Sequence, residues 1–174
     1  MMNDSIARCP NWLIGRLNDQ GGVISFYQFM DWALNDPENG FYSTGRLRIG
    51  KDGDFCTSPS LSGDFAKLLA IQVVEWFLNL QRSGIKTSTF SLVEMGPGEG
   101  TLSRDLINSI LDVEPNLINK LELVLVETNL GMKKRQKIVV NSFNGLSVRW
   151  STLEELSNDP VIGVILANEV LDTF

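Results

Sequence analysis

Residues Leu92-Val93-Glu94-Met95-Gly96-Pro97-Gly98-Glu99-Gly100 set an acid two positions ahead of three glycines at alternate positions, and Thr101 then opens an amphipathic stretch. An apolar run, a glycine turn and an amphipathic run read as strand, tight turn and helix. Glycine in such a turn admits backbone angles closed to other residues, and with no Cβ it lets a ligand lie against the main chain. The helix behind the turn aims free N–H groups and a partial positive charge at that ligand. The chemistry this favours is capture of a small molecule with an anionic group, beside a carboxylate, Glu94, that suits a cationic one.

The glycine spacing separates the possible ligands. A dinucleotide fingerprint is G-x-G-x-x-G and holds a pyrophosphate. Here the spacing is G-x-G-x-G, and Thr101 falls where the third glycine of that fingerprint would stand. Glu94 would repel a pyrophosphate and attract an ammonium group. A ligand with both an ammonium and a carboxylate satisfies both features, and the methionine end of S-adenosylmethionine (SAM) is one. The turn resembles motif I of the Rossmann-like SAM methyltransferases, with Glu94, Gly96, Pro97, Gly98 and Gly100 as candidate cofactor contacts. Two alternatives stand beside it. One is a plain strand-to-helix turn. The other is a NAD-binding oxidoreductase domain, against which the spacing and Glu94 both count.

Composition removes several function classes. The chain has 174 residues, which suits one domain with a real core, and its mean hydropathy is +0.01. A net charge of −6 and a pI near 4.7 argue against a nucleic-acid partner, which requires a basic face. No apolar run approaches the length of a membrane span. Cys9 and Cys56 are far apart, and there is no histidine, so neither a zinc site nor a disulfide framework is expected. Without histidine, Ser-His-Asp and Cys-His mechanisms are excluded within this chain. The N-terminus carries Asp4 and few basic residues, so no signal or transit peptide is evident. A cytoplasmic location is expected, or a mitochondrial one if a transit peptide has been removed.

These residues need a scaffold, and the chain supplies one in order. Trp12, Leu13 and Leu17 could share a helical face, with Pro10 in the first turn and Gly21-Gly22 as the stop. Ser25 and Gln28 form a capping-box pattern for a helix running to about Asn35, which Asp36-Pro37-Glu38-Asn39-Gly40 ends. Residues 41–57 are glycine-rich and polar and read as a long loop, a length that is often functional. Ser58-Pro59 should open a helix with an apolar stripe at Leu61, Phe65, Leu68, Leu69, Val73, Trp76, Phe77 and Leu80.

From Phe90 the pattern alternates. Strands are expected at 90–95, 121–126, 146–150 and 161–167, and helices at 101–111, 130–142 and 152–158. The first of these helices should turn Leu102, Leu106, Ile107 and Ile110 inward; the second is basic and contains Met132, Ile138 and Val139. Apolar strands separated by helices indicate an α/β fold with a parallel sheet buried on both faces, and right-handed crossovers give the order 3-2-1-4. The chain is divided into a helical and loop segment, 1–85, that caps the site, and the first part of a Rossmann-like SAM-binding domain, 86–174.

Ligands of such sheets sit at the carboxyl ends of strands beside the switch point. Glu127, ending the second strand, could accept both ribose hydroxyls of a nucleoside; a solvated helix-cap acid is the alternative. Asn168 and Glu169 follow the fourth strand, where an amide and a carboxylate suit a cationic substrate, and Glu169 could hold a guanidinium. They are the candidate catalytic pair, Asn168 doubling as a cofactor contact. A turn that merely leaves the sheet is the alternative, and Asp172 is a weaker candidate. Trp150 and Ser151, ending the third strand, lie where an adenine could be stacked or hydrogen-bonded, and Trp150 could equally be core.

Three stretches together resemble the MidA family of SAM-dependent methyltransferases, whose mitochondrial members are protein arginine methyltransferases needed for assembly of respiratory complex I. The first is Ile24-Ser25-Phe26 through Phe29-Met30, Ala33-Leu34, Pro37 and Gly40-Phe41-Tyr42. The second is Gly53-Asp54-Phe55 with Thr57-Ser58-Pro59. The third is Glu94 through Leu102, with Val126-Glu127 and Ala167-Asn168-Glu169-Val170-Leu171-Asp172. The chain departs from the family pattern at Ser60, commonly Glu, and at Thr128-Asn129, more usually Pro-Ser. The resemblance implies that Gly96, Gly98 and Glu127 hold SAM, and that the Gly53–Pro59 loop, with Asp54, Phe55, Thr57 and Ser58, closes over the site. It implies methyl transfer to an arginine of a protein substrate, such as a respiratory-complex subunit. Family members are roughly twice as long, so the resemblance also implies a truncated piece that ends after strand four. That strand would be left as an apolar edge open to self-association. A non-catalytic assembly module that keeps the fold is the competing reading.

Overall fold

A computed structural model describes residues 9–50, 52–55, 62–140, 143 and 145–170. The elements are α1 (Asn11–Asp19), α2 (Phe26–Asn35), α3 (Asp64–Arg82), β1 (Phe90–Met95), α4 (Thr101–Val113), a 3₁₀ turn (Pro115–Asn119), β2 (Leu121–Val126), α5 (Leu130–Val140), β3 (Ser147–Ser151), α6 (Leu153–Asn158) and β4 (Gly163–Ala167). The four strands form one parallel sheet in the order β3-β2-β1-β4, the expected order. The switch point lies at β1, flanked by β2 and β4, so ligand groups converge at the ends of these three strands.

The strand period of two divides the core. Phe90 and Leu92 of β1 and Leu121, Leu123 and Leu125 of β2 face α3 and α4 in the larger cluster. Val93, Val124 and Val126 point to the other face, where Met95, Leu156 and Val161 cover them. Leu102, Leu106, Ile107 and Ile110 are all buried on α4. Because α3 contributes Ala66, Ala70, Val73, Val74 and Phe77 to the larger cluster, the expected boundary at 85/86 runs through a shared core.

Helix boundaries follow local chemistry. Ser25 caps α2 in a full capping box with Gln28, and Thr152 does the same for α6 with Glu155. Pro10 is the N-cap of α1 and not inside its first turn. α1 is tied to the turn after α2 by Arg16, whose guanidinium lies over the rings of Trp12 and Trp32 and pairs with the buried Asp36 at 2.5 Å. Burial opposes ionisation of Asp36, but hydrogen bonds from Asn39 and Glu38 and the Arg16 charge outweigh it and hold the carboxyl below its ordinary range.

The expected α3 stripe packs in the larger core at Phe65, Leu69, Val73, Phe77 and Leu80 and departs from it at two positions. On α3, Leu68 is 72 % and Trp76 42 % exposed, while the small residues Ala66 and Ala70 are buried. The helix packs closely on α4, and close approach selects small side chains over large ones. Ser58, Pro59 and Leu61 lie outside the described residues. On α5, Ile138 is 81 % exposed, and the buried stripe is Met132, Gln136 and Val140.

Candidate functional site

A cavity of about 370 Å³ opens at the carboxyl ends of β1, β2 and β4, within the roughly 300–1,000 Å³ typical of small-molecule sites. Its floor is the turn after β1, with Glu94, Gly96, Pro97, Gly98 and Glu99. Glu127, Thr128 and Asn129 line the β2 side, and Asn168, Glu169 and Val170 the β4 side. Asn35, Tyr42, Leu47, Ile49 and Phe55 form a roof from the N-terminal segment. Four glutamates and no lysine or arginine stand among the described lining residues.

The turn has the backbone its glycines permit. Gly96 and Gly98 have φ of +58° and +53°. A Cβ on Gly96 would come within 2.8 Å of Val170 Cγ2, and one on Gly98 within 3.2 Å of Ile49 Cδ1. These two glycines therefore admit the roof and the β4 loop to the turn as well as any ligand. Gly100 is buried behind the turn against Gln136 and Val140, at the N-cap of α4, and is not a lining residue.

Glu94 is 4 % exposed, and Ser103 Oγ of α4 donates to it. Burial pushes its carboxyl up to about 7, against the opposing hydrogen bonds from the Ser103 side chain and backbone. A buried carboxylate on a cavity wall that holds no basic side chain is matched by a cationic ligand group.

Glu127 is held at both oxygens: the Asn129 backbone N–H donates to Oε1 at 2.8 Å, and Gln136 Nε2 donates to Oε2 at 3.0 Å. Asn129 Oδ1 accepts from the backbone N–H groups of Gly131 and Met132, capping α5, while its Nδ2 donates to Ser43 Oγ of the roof at 2.9 Å. The departure from the family pattern at Asn129 thus places a capping residue there. Arg135 secures the roof further, donating to the carbonyls of Gly45 at 3.2 Å and Leu47 at 2.7 Å, and pairing with Glu99 at 3.2 Å.

The other expected residues divide. Asn168 and Glu169 both line the cavity, Glu169 exposed and with φ of +51°, uncommon outside glycine. Phe55 lines the roof, whereas Asp54 closes its own loop by accepting from the Arg48 backbone N–H at 2.9 Å. Thr57, Ser58 and Asp172 lie outside the described residues. Trp150 and Ser151 do not reach the cavity. The Trp150 ring packs against the larger core with its Nε1 donating to Gln136, and Ser151 is buried with Oγ donating to Glu155. The third strand ends one layer behind the site because Gln136 fills the space between them. Gln136 is the residue that sequence reasoning missed. Its signal was a polar residue between Met132 and Val140 at intervals of four, on the stripe that must be buried.

Fold and site together define a small-molecule crevice at the switch point of a parallel α/β sheet. The family described as "Putative S-adenosyl-L-methionine-dependent methyltransferase" matches residues 68–174, and the chain belongs to it. The mitochondrial protein arginine methyltransferase NDUFAF7 of Bos taurus is 34 % identical over 139 residues, 79 % of this chain and 30 % of that protein. The human protein of the same name is 33 % identical over 120 residues, 68 % of this chain and 26 % of that protein. A crystal structure of a "likely methyl transferase" from Burkholderia thailandensis, bound to S-adenosyl-homocysteine, superimposes with a TM-score of 0.60 at 28 % identity. That match covers 92 % of this chain and 40 % of the other. The chain thus spans less than half the length of these relatives.

Proposed function

We propose that this chain forms the cofactor half of a SAM-dependent methyltransferase whose acceptor is an arginine of a protein substrate. The observation that carries the reading is the cavity at the switch point, whose charged lining residues among those described are all acidic and which is built on the glycine turn between Glu94 and Glu127. Bound SAM would supply an activated methyl group on a sulfonium. Glu94 would meet the ammonium of its methionine end, and the backbone of Gly96 and Gly98 would hold that end. Glu127 would accept from the ribose hydroxyls. On the β4 side, Glu169 orients the acceptor guanidinium and takes up the proton that its nitrogen loses, while Asn168 supplies an amide contact. The relatives named as protein arginine methyltransferases support this acceptor class.

Calorimetric titration of the protein with SAM, on the unsubstituted protein and on Glu169→Gln, tests the reading. Micromolar binding is expected for both, with turnover on an arginine-containing protein lowered about 100-fold or more in the variant. Equal turnover in the variant would remove Glu169 from the reaction. Binding of NAD in place of SAM would overturn the reading as a whole.

A second reading has its own observation. Leu68, Ile71 and Trp76 expose an apolar face on α3, and Ile165 is 62 % exposed on the edge strand β4, as a partner-binding assembly module would require. SAM-independent partner binding with no turnover would favour it.

A further inference from the structure

Gln136 is fully buried, yet the reaction outlined above gives it no role. Its amide has three partners on three elements. Nε2 donates to the carbonyl oxygen of Gly98 at 2.8 Å and to Glu127 Oε2 at 3.0 Å. Oε1 accepts from Trp150 Nε1 at 2.8 Å. Partner chemistry allows only this orientation. An indole nitrogen is a donor only, whereas a carbonyl and a carboxylate are acceptors only. The flipped amide would set a donor against a donor and an acceptor against two acceptors.

No other side chain meets these demands. Asparagine is one methylene shorter, glutamate offers no donor when ionised, and lysine, a donor only, has nothing to accept from the indole. The Glu127 carboxylate is meanwhile held from two sides, by the Asn129 backbone and by Gln136, so its orientation toward the cavity is set before any ligand arrives. The same amide holds the Gly98 carbonyl. Trp150 anchors the amide from the far side, and Lys137 Nζ lies 5.3 Å from the centre of its ring.

We infer that Gln136 is the positioning residue of the cofactor site, locking the ribose-binding carboxylate and the glycine turn into one rigid unit. This rests on the SAM reading of the cavity and assigns a residue that the reading did not need. Its specific consequence is selectivity for the ribose hydroxyls, because a fixed carboxylate discriminates against a sugar that lacks one and a freely rotating carboxylate does so poorly.

The test measures dissociation constants for S-adenosylhomocysteine and its 2′-deoxyribose analogue by calorimetry. The full-length protein is compared with Gln136→Met and Gln136→Glu, each shown by thermal melting to be folded. The unsubstituted protein is expected to prefer the ribose ligand by about tenfold or more, the scale of one hydrogen bond to a charged group. In both variants that preference should fall to about twofold, with the loss concentrated on the ribose ligand. In Gln136→Glu the loss should be the larger, since a second carboxylate would face Glu127. Equal weakening for the two ligands, with the preference intact, would make Gln136 a packing residue and overturn the inference alone, as would unchanged affinities. If Gln136→Met fails to fold, Gln136→Glu, nearly identical in shape, decides in the same way. Failure of the unsubstituted protein to bind S-adenosylhomocysteine would remove the SAM reading, and the inference with it.

Discussion

The two banks of the cavity are built differently. On the β2 bank the carboxylate and the amides are interlocked: Glu127 is held at both oxygens, Asn129 caps α5 and reaches Ser43, and Gln136 ties the turn to β3. On the β4 bank Glu169 is exposed, on a left-handed backbone, just past the edge strand. Fixed dipoles suit a ligand that is the same in every cycle. An exposed carboxylate suits one that arrives on another macromolecule. The difference separates a bank whose donors and acceptors are already oriented from one whose carboxylate is open to solvent.

The contrast can be broken most severely at the turn. In Gly98→Val, a β-branched residue is placed at φ of +53° with Ile49 Cδ1 within 3.2 Å of its Cβ. SAM affinity should fall by about 100-fold or more in calorimetry, since a non-glycine residue forced to this backbone costs on the order of 1–3 kcal/mol before any clash. Affinity within a few-fold of the unsubstituted protein would mean that the fixed bank is not the cofactor bank.

A smaller effect comes from protonation. The Glu94 carboxyl is raised to about 7 in the folded protein from 4.5. The folded chain therefore keeps a proton that the unfolded chain releases, and stability should decline as pH rises from about 4.5 to 7 and then level off. A bound ammonium favours the ionised form, so SAM binding should expel that proton. Affinity should rise by up to about tenfold between pH 6 and 8 and flatten above, following the ionised fraction of one group. Glu94→Gln should bind more weakly and lose the pH dependence; a slope that persists would assign it elsewhere.

The smallest effect sharpens the link between bank and roof. Arg135→Met keeps the aliphatic stem and removes the bonds to Gly45, Leu47 and Glu99. Affinity should drop about three- to tenfold, through faster ligand dissociation in stopped-flow measurements, with the melting temperature little changed. An unchanged dissociation rate would show that the roof does not retain the ligand.

Much of this was legible before the fold was seen. Strand order, the capping box at Ser25 and the inward face of α4 follow from periodicity and cap chemistry, which act over a few residues. Glu94, Gly96, Gly98, Glu127, Asn168 and Glu169 were placed by their position relative to strand ends and do meet in one cavity. Hydrophobicity read α3 correctly at Val73 and Phe77 and misled at Leu68 and Trp76, which are exposed while the smaller Ala66 and Ala70 are buried against the core. For Trp150 the sequence leaves an adenine contact and a core position open, and the structure places it against the core. The amide that separates it from the crevice comes from α5, and the sequence marks that amide only as one polar residue on a buried stripe. Side-chain networks that join three elements have no local period, so they become visible only in three dimensions.

The seat of the roof on α5 has a kinetic meaning. A Cβ on Gly131 would lie 2.4 Å from the Ser43 carbonyl oxygen, so loop and helix touch backbone to backbone. The bonds that accompany this contact join residues 86 to 90 positions apart. Closing so long a stretch of chain has an entropy cost that a few hydrogen bonds offset only once the sheet has brought α5 into place. The roof is therefore expected to assemble after the sheet and to open before it. Amide exchange at residues 43–49 should proceed through an opening that leaves the strands protected. The cavity can then admit and release its ligand by a local event, at a small fraction of the cost of unfolding the protein.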